Sequence, residues 1–324
     1  MINRLSHVEV AVTDLGRARD FYCDTLGFIA FAQSDDALWL RAPQEFDVWS
    51  LKLTRDHEHG LLAFGFRVDA EPRLDELAAI HERLGLAHRW REAGEEPGRG
   101  RMLRVLTPGG HVVDFEHEVD EVPTRDQHGP HLPMRHTHRQ RGVGLARLDH
   151  VNVRVAELRA ALAYWQEELG FSASERQIDD DGEVQRAWLR RGPFSHDMAI
   201  GRDERIGFHH VAYTLPDTSA LIAAADLVSD AGLPVIEYGP GRHGITDACF
   251  LYIRDPDGNR IELYAGDYVR DLDRPPVDWT LDEYQTTGLL WWGHEPPASF
   301  LAAGPVLDRR LITSQRDLEE VAAP

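Results

Sequence analysis

Along this chain, apolar and polar positions alternate in short runs that give way to longer stretches with helical spacing. Leu5-Ser6-His7-Val8-Glu9-Val10-Ala11-Val12 reads as a strand, and Ala18, Phe21 and Tyr22 mark the apolar face of a helix ending at Leu26-Gly27-Phe28. The same succession returns at Leu148-Asp149-His150-Val151-Asn152-Val153-Arg154-Val155, then Leu158, Ala161 and Tyr164, then Leu169-Gly170-Phe171. A second pair matches Leu61 to Gly85 with Phe208 to Gly232, strand then helix, and Ala63 stands where His210 stands. A third sets Leu103 to Glu116 against Leu251 to Tyr264, with Pro108-Gly109-Gly110 for Pro256-Asp257-Gly258 and Asp114 opposite Glu262. The pattern predicts four strand–helix–strands modules, two per half. Repeats at this scale duplicate a unit that cannot bury its sheet alone.

Glu121 to Arg147 breaks the pattern and is rich in Pro, Gly, His and Arg. It holds His128, His131, His136 and His138, but no flanking element would fix the geometry of a metal site there, so it reads as a linker. Beyond Tyr264 come a Pro-rich stretch and then Trp279, Tyr284, Trp291 and Trp292. So aromatic a tail must pack on something, and covering the mouth of the C-terminal half is its predicted role. The last dozen residues are expected to be disordered. The predicted division is 1–120, a linker at 121–146, a catalytic part at 147–265 and a tail at 266–324.

A length of 324 residues with 42% hydrophobic positions suits two domains with substantial cores. The net charge of −20, from 55 Asp+Glu against 35 Lys+Arg, disfavours nucleic acid and anionic membranes as partners. Cys23 and Cys249 alone support no disulfide framework, which points to a reducing cytoplasm. The chain opens directly on a strand without a signal peptide, and no apolar run approaches the roughly 18 residues of a membrane span.

Candidate chemistry concentrates between Gly241 and Glu262. A Gly-flanked loop presents His243, Ala248 to Ile253 reads as a strand carrying Tyr252, and Asp255-Pro256-Asp257-Gly258 makes a tight turn into a second strand. Such a hairpin brings Tyr252 and Glu262 toward one shared space. An inward carboxylate is costly without a positive partner, and a metal ion is the simplest one. His150, His210 and Glu262 occupy equivalent inward places in different modules. Two imidazoles and one carboxylate on one face leave open positions suited to non-haem Fe(II) oxygen chemistry. The N-terminal half offers His7, Ala63 and Asp114 instead, and alanine cannot bind metal, so that half should carry no active iron.

This stretch resembles the signature of the type I extradiol ring-cleavage dioxygenases at Gly241, His243, Leu251, Tyr252, Asp255, Pro256, Gly258 and Glu262. Over about residues 1–300 the chain resembles the two-domain vicinal-oxygen-chelate extradiol dioxygenases that cleave catechol, homoprotocatechuate or 2,3-dihydroxybiphenyl. The resemblance implies an α+β vicinal oxygen chelate fold of four βαβββ modules. It also implies a ferrous ion on His150, His210 and Glu262, and homo-oligomers, often tetramers. Mn(II) accepts the same ligand set. Residue by residue, it implies that His196, in Phe194-Ser195-His196-Asp197, is the acid–base histidine beside bound O2. Tyr252 would bond the substrate's hydroxyl-derived oxygen, His243 would lie near that oxygen, Asn152 near O2, and Trp188 on the pocket wall. The implied product of a catechol and O2 is a lactone, hydrolysed to a ring-opened semialdehyde.

Two departures bear on the substrate. The homoprotocatechuate enzymes carry an arginine directly before Gly-Pro-Gly, where this chain has Tyr238. Another arginine place, before Trp-Trp-Gly, reads Thr286-Thr287-Gly288-Leu289-Leu290. Without a forked cation an anionic substituent would enter unpaired at several kcal/mol. The expectation is a neutral catechol (catechol itself, an alkyl- or halocatechol, or a bicyclic diol), with Arg242 keeping a carboxylate open. Two other classes stand beside this one. A glyoxalase-type isomerase would need a second carboxylate ligand, which neither position 63 nor position 210 supplies. A non-catalytic binding module would have no use for His196, Tyr252 and His243 beside a complete triad.

Overall fold

The structure, a computed structural model, describes residues 1–122, 142–232 and 235–307. The linker histidines at 128, 131, 136 and 138 and the chain end expected to be disordered lie outside the described residues. Eight strands form one sheet: β1 (Ile2–Val12), β2 (Ile29–Gln33), β3 (Ala37–Arg41), β4 (Leu51–Arg55), β5 (Gly60–Val68), β6 (His88–Arg91), β7 (Met102–Leu106) and β8 (Val112–Glu116). Nine form the other: β9 (Leu148–Val155), β10 (Ser172–Ile178), β11 (Val184–Arg190), β12 (Met198–Arg202), β13 (Gly207–Thr214), β14 (Ile236–Arg242), β15 (Cys249–Arg254), β16 (Arg260–Ala265) and β17 (Val277–Trp279). The first runs β6-β7-β8-β5-β1-β4-β3-β2 and the second β14-β15-β16-β13-β9-β12-β11-β10-β17. Apart from β17, which the tail adds beside β10, the two orders are the same. A helix follows the first strand of each four-strand set, so each half contains two βαβββ units.

Local sequence explains the elements. Pro72 opens the helix to Leu84 and Gly85, at φ 65°, closes it in the left-handed region. Asp217 caps the helix Thr218–Asp230 by accepting from the Ala220 N–H. In the Asp255–Gly258 turn, Asp255 Oδ1 accepts the backbone N–H groups of Asp257, Gly258 and Asn259 at 3.0, 2.7 and 2.8 Å. The same turn fastens the two halves together. Tyr22 donates to Asp255 Oδ2 at 2.9 Å, and Asn259 Nδ2 donates to the Ala11 carbonyl at 3.0 Å. One apolar core runs through both halves, with Phe28 against Tyr213 and Phe66 against Trp165. No helix among the described residues is long and apolar enough to cross a membrane.

Register shows how the halves diverge chemically. Glu9 pairs with Ala63 on β1 and β5, as Asn152 pairs with His210 on β9 and β13. Gly65 pairs with Asp114, as Ala212 pairs with Glu262, so Ala63 is the counterpart of His210 and Asp114 of Glu262. Across the next ladder Asp114 faces Arg104, whereas Glu262 faces Tyr252. The first half therefore answers its buried carboxylate with a permanent cation. Arg104 grips Asp114 with Nε and Nη2, both at 2.7 Å, and reaches Glu9 at 3.2 Å, while His7 lies 3.3 Å from Asp114. Removing that cation takes the closest partner from buried Asp114, leaving it Arg91 at 3.8 Å and His7, and leaves Glu9 to Lys52. Arg104→Met is expected to cost about 3–5 kcal/mol of stability, read as a lower midpoint in chemical denaturation.

Candidate active site

Three side chains converge on one face of the second sheet, each 2% exposed: His150 on β9, His210 on β13 and Glu262 on β16. Among the described residues they are the one set of His, Cys, Asp or Glu whose ligand atoms all lie within 4.8 Å of one another. His150 Nε2 stands 2.9 Å from Glu262 Oε2 and 3.1 Å from His210 Nε2, which is 3.1 Å from the same oxygen. Donors about 2.1 Å from one ion, at three adjacent corners of an octahedron, are about 3.0 Å apart. The separations fit a divalent ion held on one face, with the opposite face open.

Each imidazole is aimed from behind. His150 Nδ1 donates to Asp149 Oδ2 at 3.0 Å, which leaves its Nε2 facing Glu262. His209 Nε2 donates to the Phe300 carbonyl at 2.8 Å, so His209 Nδ1 accepts from His210 Nδ1 at 2.7 Å. That fixes the His210 lone pair on Nε2. A bulge in β13 between Phe208 and His210 lets the two successive histidines meet.

The electrostatics favour a cation here. Burial works against the Glu262 carboxylate, yet His210 and His150 hold it well below the usual carboxylate range. Burial lowers His150, but Asp149 and Glu262 outweigh it and lift the group to about 9. Without a metal ion Nε2 therefore carries a proton toward Glu262, which a bound metal ion displaces to take the lone pair. Burial takes His210 down to about 4 despite Glu262. Among the described residues the carboxylate's ion-pair partners are imidazoles alone, where Asp114 has a guanidinium.

Above the triad lies a cavity of about 310 Å³, at the small end of the roughly 300–1,000 Å³ of small-molecule sites. His196, His243, Tyr252, Asn152 and Trp188 all border it. His196 Nδ1 is 2.9 Å from Ser195 Oγ, its ring centroid is 4.0 Å from that of His150, and burial followed by His150 holds its pKa well down, so it is neutral. His243 Nδ1 donates to the Leu289 carbonyl, which makes Nε2 the acceptor of the Tyr252 hydroxyl at 3.0 Å. Burial lowers His243 and raises Tyr252 well above the usual phenol, so both are neutral. Leu281, Tyr284, Leu289, Phe300 and Leu301 from the tail complete the wall.

Two expected substrate contacts lie elsewhere. Tyr238 is paired with Tyr252 across β14 and β15, and its ring stacks behind Tyr252 at 5.9 Å and packs on Phe300 at 4.6 Å, so it supports the wall without bordering the cavity. Arg242 is turned away by Asp247, 2.6 Å from its Nη2, and covers the Trp291 ring. The cavity's cations are others, Arg154 and Arg186. Arg154 carried a readable signal, standing four residues after His150 on the same strand face. His209 and Asp149 carried little, because a side chain beside a ligand normally points to the opposite face of a strand.

Residues 147–263 match the model of the Glyoxalase/Bleomycin resistance protein/Dioxygenase superfamily, and residues 63–116 match the Catechol 2,3-dioxygenase-like N-terminal domain. The metapyrocatechase of Pseudomonas sp. (strain CF600) is 34% identical over 86% of this chain and 91% of that protein. A manganese-dependent 2,3-dihydroxybiphenyl 1,2-dioxygenase of Geobacillus genomosp. 3 is 28% identical over 91% of this chain and 95% of its own length. The crystal structure of homoprotocatechuate 2,3-dioxygenase from Arthrobacter globiformis superposes with a TM-score of 0.86 at 33% identity, covering 95% of this chain and 93% of that one. With a 34% identical relative matched over 86% of the chain and the triad so built, this protein belongs to the extradiol dioxygenases of the vicinal oxygen chelate superfamily.

Proposed function

We propose that this chain opens the ring of a catechol beside its diol, using O2, at a ferrous ion held by His150, His210 and Glu262. The observation that carries the reading is a buried carboxylate and two aimed imidazole Nε2 atoms with no permanent cation among them, beneath a cavity that admits a small ring. In this reading residues 147–265 carry the chemistry, residues 1–120 are their structural partner, and the tail closes the cavity. A manganese ion is the second reading, carried by the manganese-dependent relative.

The metal would supply a Lewis-acidic, redox-active centre that couples electron density in the ring to O2. The chain's own side chains hold and move the protons. Tyr252 accepts from a catechol hydroxyl while its own proton passes to His243 Nε2, whose far side is anchored at Leu289. His196, neutral and with Nδ1 engaged by Ser195, has Nε2 available to stabilise negative charge developing on oxygen and then to give or take a proton. Trp188 and the apolar tail residues keep bulk water from these steps.

Anaerobic loading with Fe(II), addition of each of a panel of neutral and carboxylated catechols and then air tests the proposal. A yellow ring-fission product supports it, and a panel left unchanged counts against it. A quieter variant tests the aiming of His210. His209→Phe keeps the bulk but removes the relay to Phe300, and is expected to weaken Fe(II) binding about 10–100-fold in an anaerobic titration.

A further inference from the structure

We propose that Arg154 and Arg186 form a subsite for an anionic substituent, so that the preferred substrate is a catechol bearing a carboxylate. The inference rests on the catechol reading of this cavity and names the substrate class within it. It replaces the expectation of a neutral substituent, which weighed positions 238, 242 and 286–290 and so missed cations supplied by β9 and β11.

Both guanidinium groups border the same cavity as the triad. Arg154 extends the line His150–Asn152–Arg154 along one face of β9, and its Nη1 donates to Asn152 Oδ1 and, at 3.2 Å, to the Val153 carbonyl. The group therefore reaches back toward the diol end of the cavity. Among the described residues its Nε and Nη2 make no hydrogen bond, and the Arg186 guanidinium makes none, lying 5.8 Å from the Tyr284 ring centre. Neither arginine has a described carboxylate within ion-pair distance. Contrast the other buried arginines: Arg91, Arg99, Arg104 and Arg260 are each clamped on a carboxylate, and Arg190 is held by four backbone carbonyls.

The two groups are also brought together. A Cβ at Gly201 would stand 3.0 Å from Arg186 Nη1 and 3.3 Å from Arg154 Nη1, so the missing side chain there makes room for both heads. Two like charges converging without an acid between them are costly, and Arg154 is only 8% exposed. Burial and then Arg186 depress Arg154 to about 9, which registers that cost. A carboxylate placed between the two forks would relieve it with charge-assisted hydrogen bonds, whereas a neutral substituent would leave the cations unanswered.

The test uses three matched pairs on the Fe(II)-loaded protein: dihydroxybenzoate, dihydroxyphenylacetate and dihydroxyphenylpropionate, each against its own carboxamide. The best carboxylate is expected to exceed its carboxamide at least about tenfold in kcat/KM, and Arg186→Met and Arg154→Met to shrink that ratio at least about tenfold, with Arg186→Lys retaining part of it. Because Arg154 is buried, its variant can fail to fold. Arg186 is half-buried without a hydrogen bond, so Arg186→Met decides alone. Carboxylate and carboxamide within twofold in the native protein, or an unchanged ratio in Arg186→Met, overturns the subsite. Calorimetric binding of the same compounds to the metal-free protein separates this claim from the reaction itself. If no catechol is cleaved, the catechol reading falls, while tighter carboxylate binding that Arg186→Met abolishes still sustains the anion subsite and equal binding removes it.

Discussion

Glu262→Gln is expected to abolish tight metal binding and to lower turnover by about 10³-fold or more, with the fold intact. The change keeps size and shape but removes the charge that two imidazoles alone cannot replace. In the native chain Glu262 Oε2 lies 2.9 and 3.1 Å from the two Nε2 atoms, and among the described residues no arginine or lysine pairs with it. Neutralising it removes the electrostatic reason for a divalent cation to settle there. The metal-free protein should melt somewhat lower, because the two imidazoles that hold the native carboxylate ionised lose their counter-charge. The Arg104→Met variant is the converse, since it removes a permanent cation and leaves its carboxylates behind. Anaerobic metal titration, turnover and a thermal melt on the same sample check all three expectations. A Glu262→Gln protein that binds Fe(II) as tightly as the native one would contradict the ligand role.

His196→Phe is expected to leave metal binding within a few-fold and to lower turnover by about 10²–10⁴-fold. The ring borders the cavity but makes no contact with the carboxylate, and phenylalanine fills a similar volume beside His150. What is lost is a neutral imidazole whose pKa is held low by burial and the neighbouring His150. The native group can hold or release a proton without first shedding one to solvent. Its removal should therefore separate binding from chemistry, with substrate affinity kept and kcat reduced. Equal losses in metal affinity and turnover would instead make His196 a packing residue.

Much of the fold was legible because duplication writes the same alternation of apolar positions twice. The strand–helix boundaries at Gly27 and Gly170, and the turn at Asp255–Gly258, are marked by residues that the backbone requires. His150, His210 and Glu262 were legible for the same reason, since the first strands β9 and β13 and the last strand β16 of two similar units meet, and the other half repeats their places at His7, Ala63 and Asp114. Side chains whose role depends on a neighbouring element were not. His209 acts through Phe300, 91 residues away, and nothing local to either residue announces the pair. Tyr238 and Arg242 were misplaced because β14 bears register shifts at Tyr238, which break the simple in–out count of a strand. Arg186 sits on a different strand from Arg154, and only the space left by Gly201 brings their heads together.

The most direct measurement is diffraction at the iron absorption edge from crystals of the protein loaded anaerobically with Fe(II). One anomalous peak per chain is expected, about 2.1 Å from His150 Nε2, His210 Nε2 and a Glu262 oxygen, with open positions facing the cavity. A peak at the His7–Asp114 counterpart, or iron bound away from all three side chains, would contradict that ligand set.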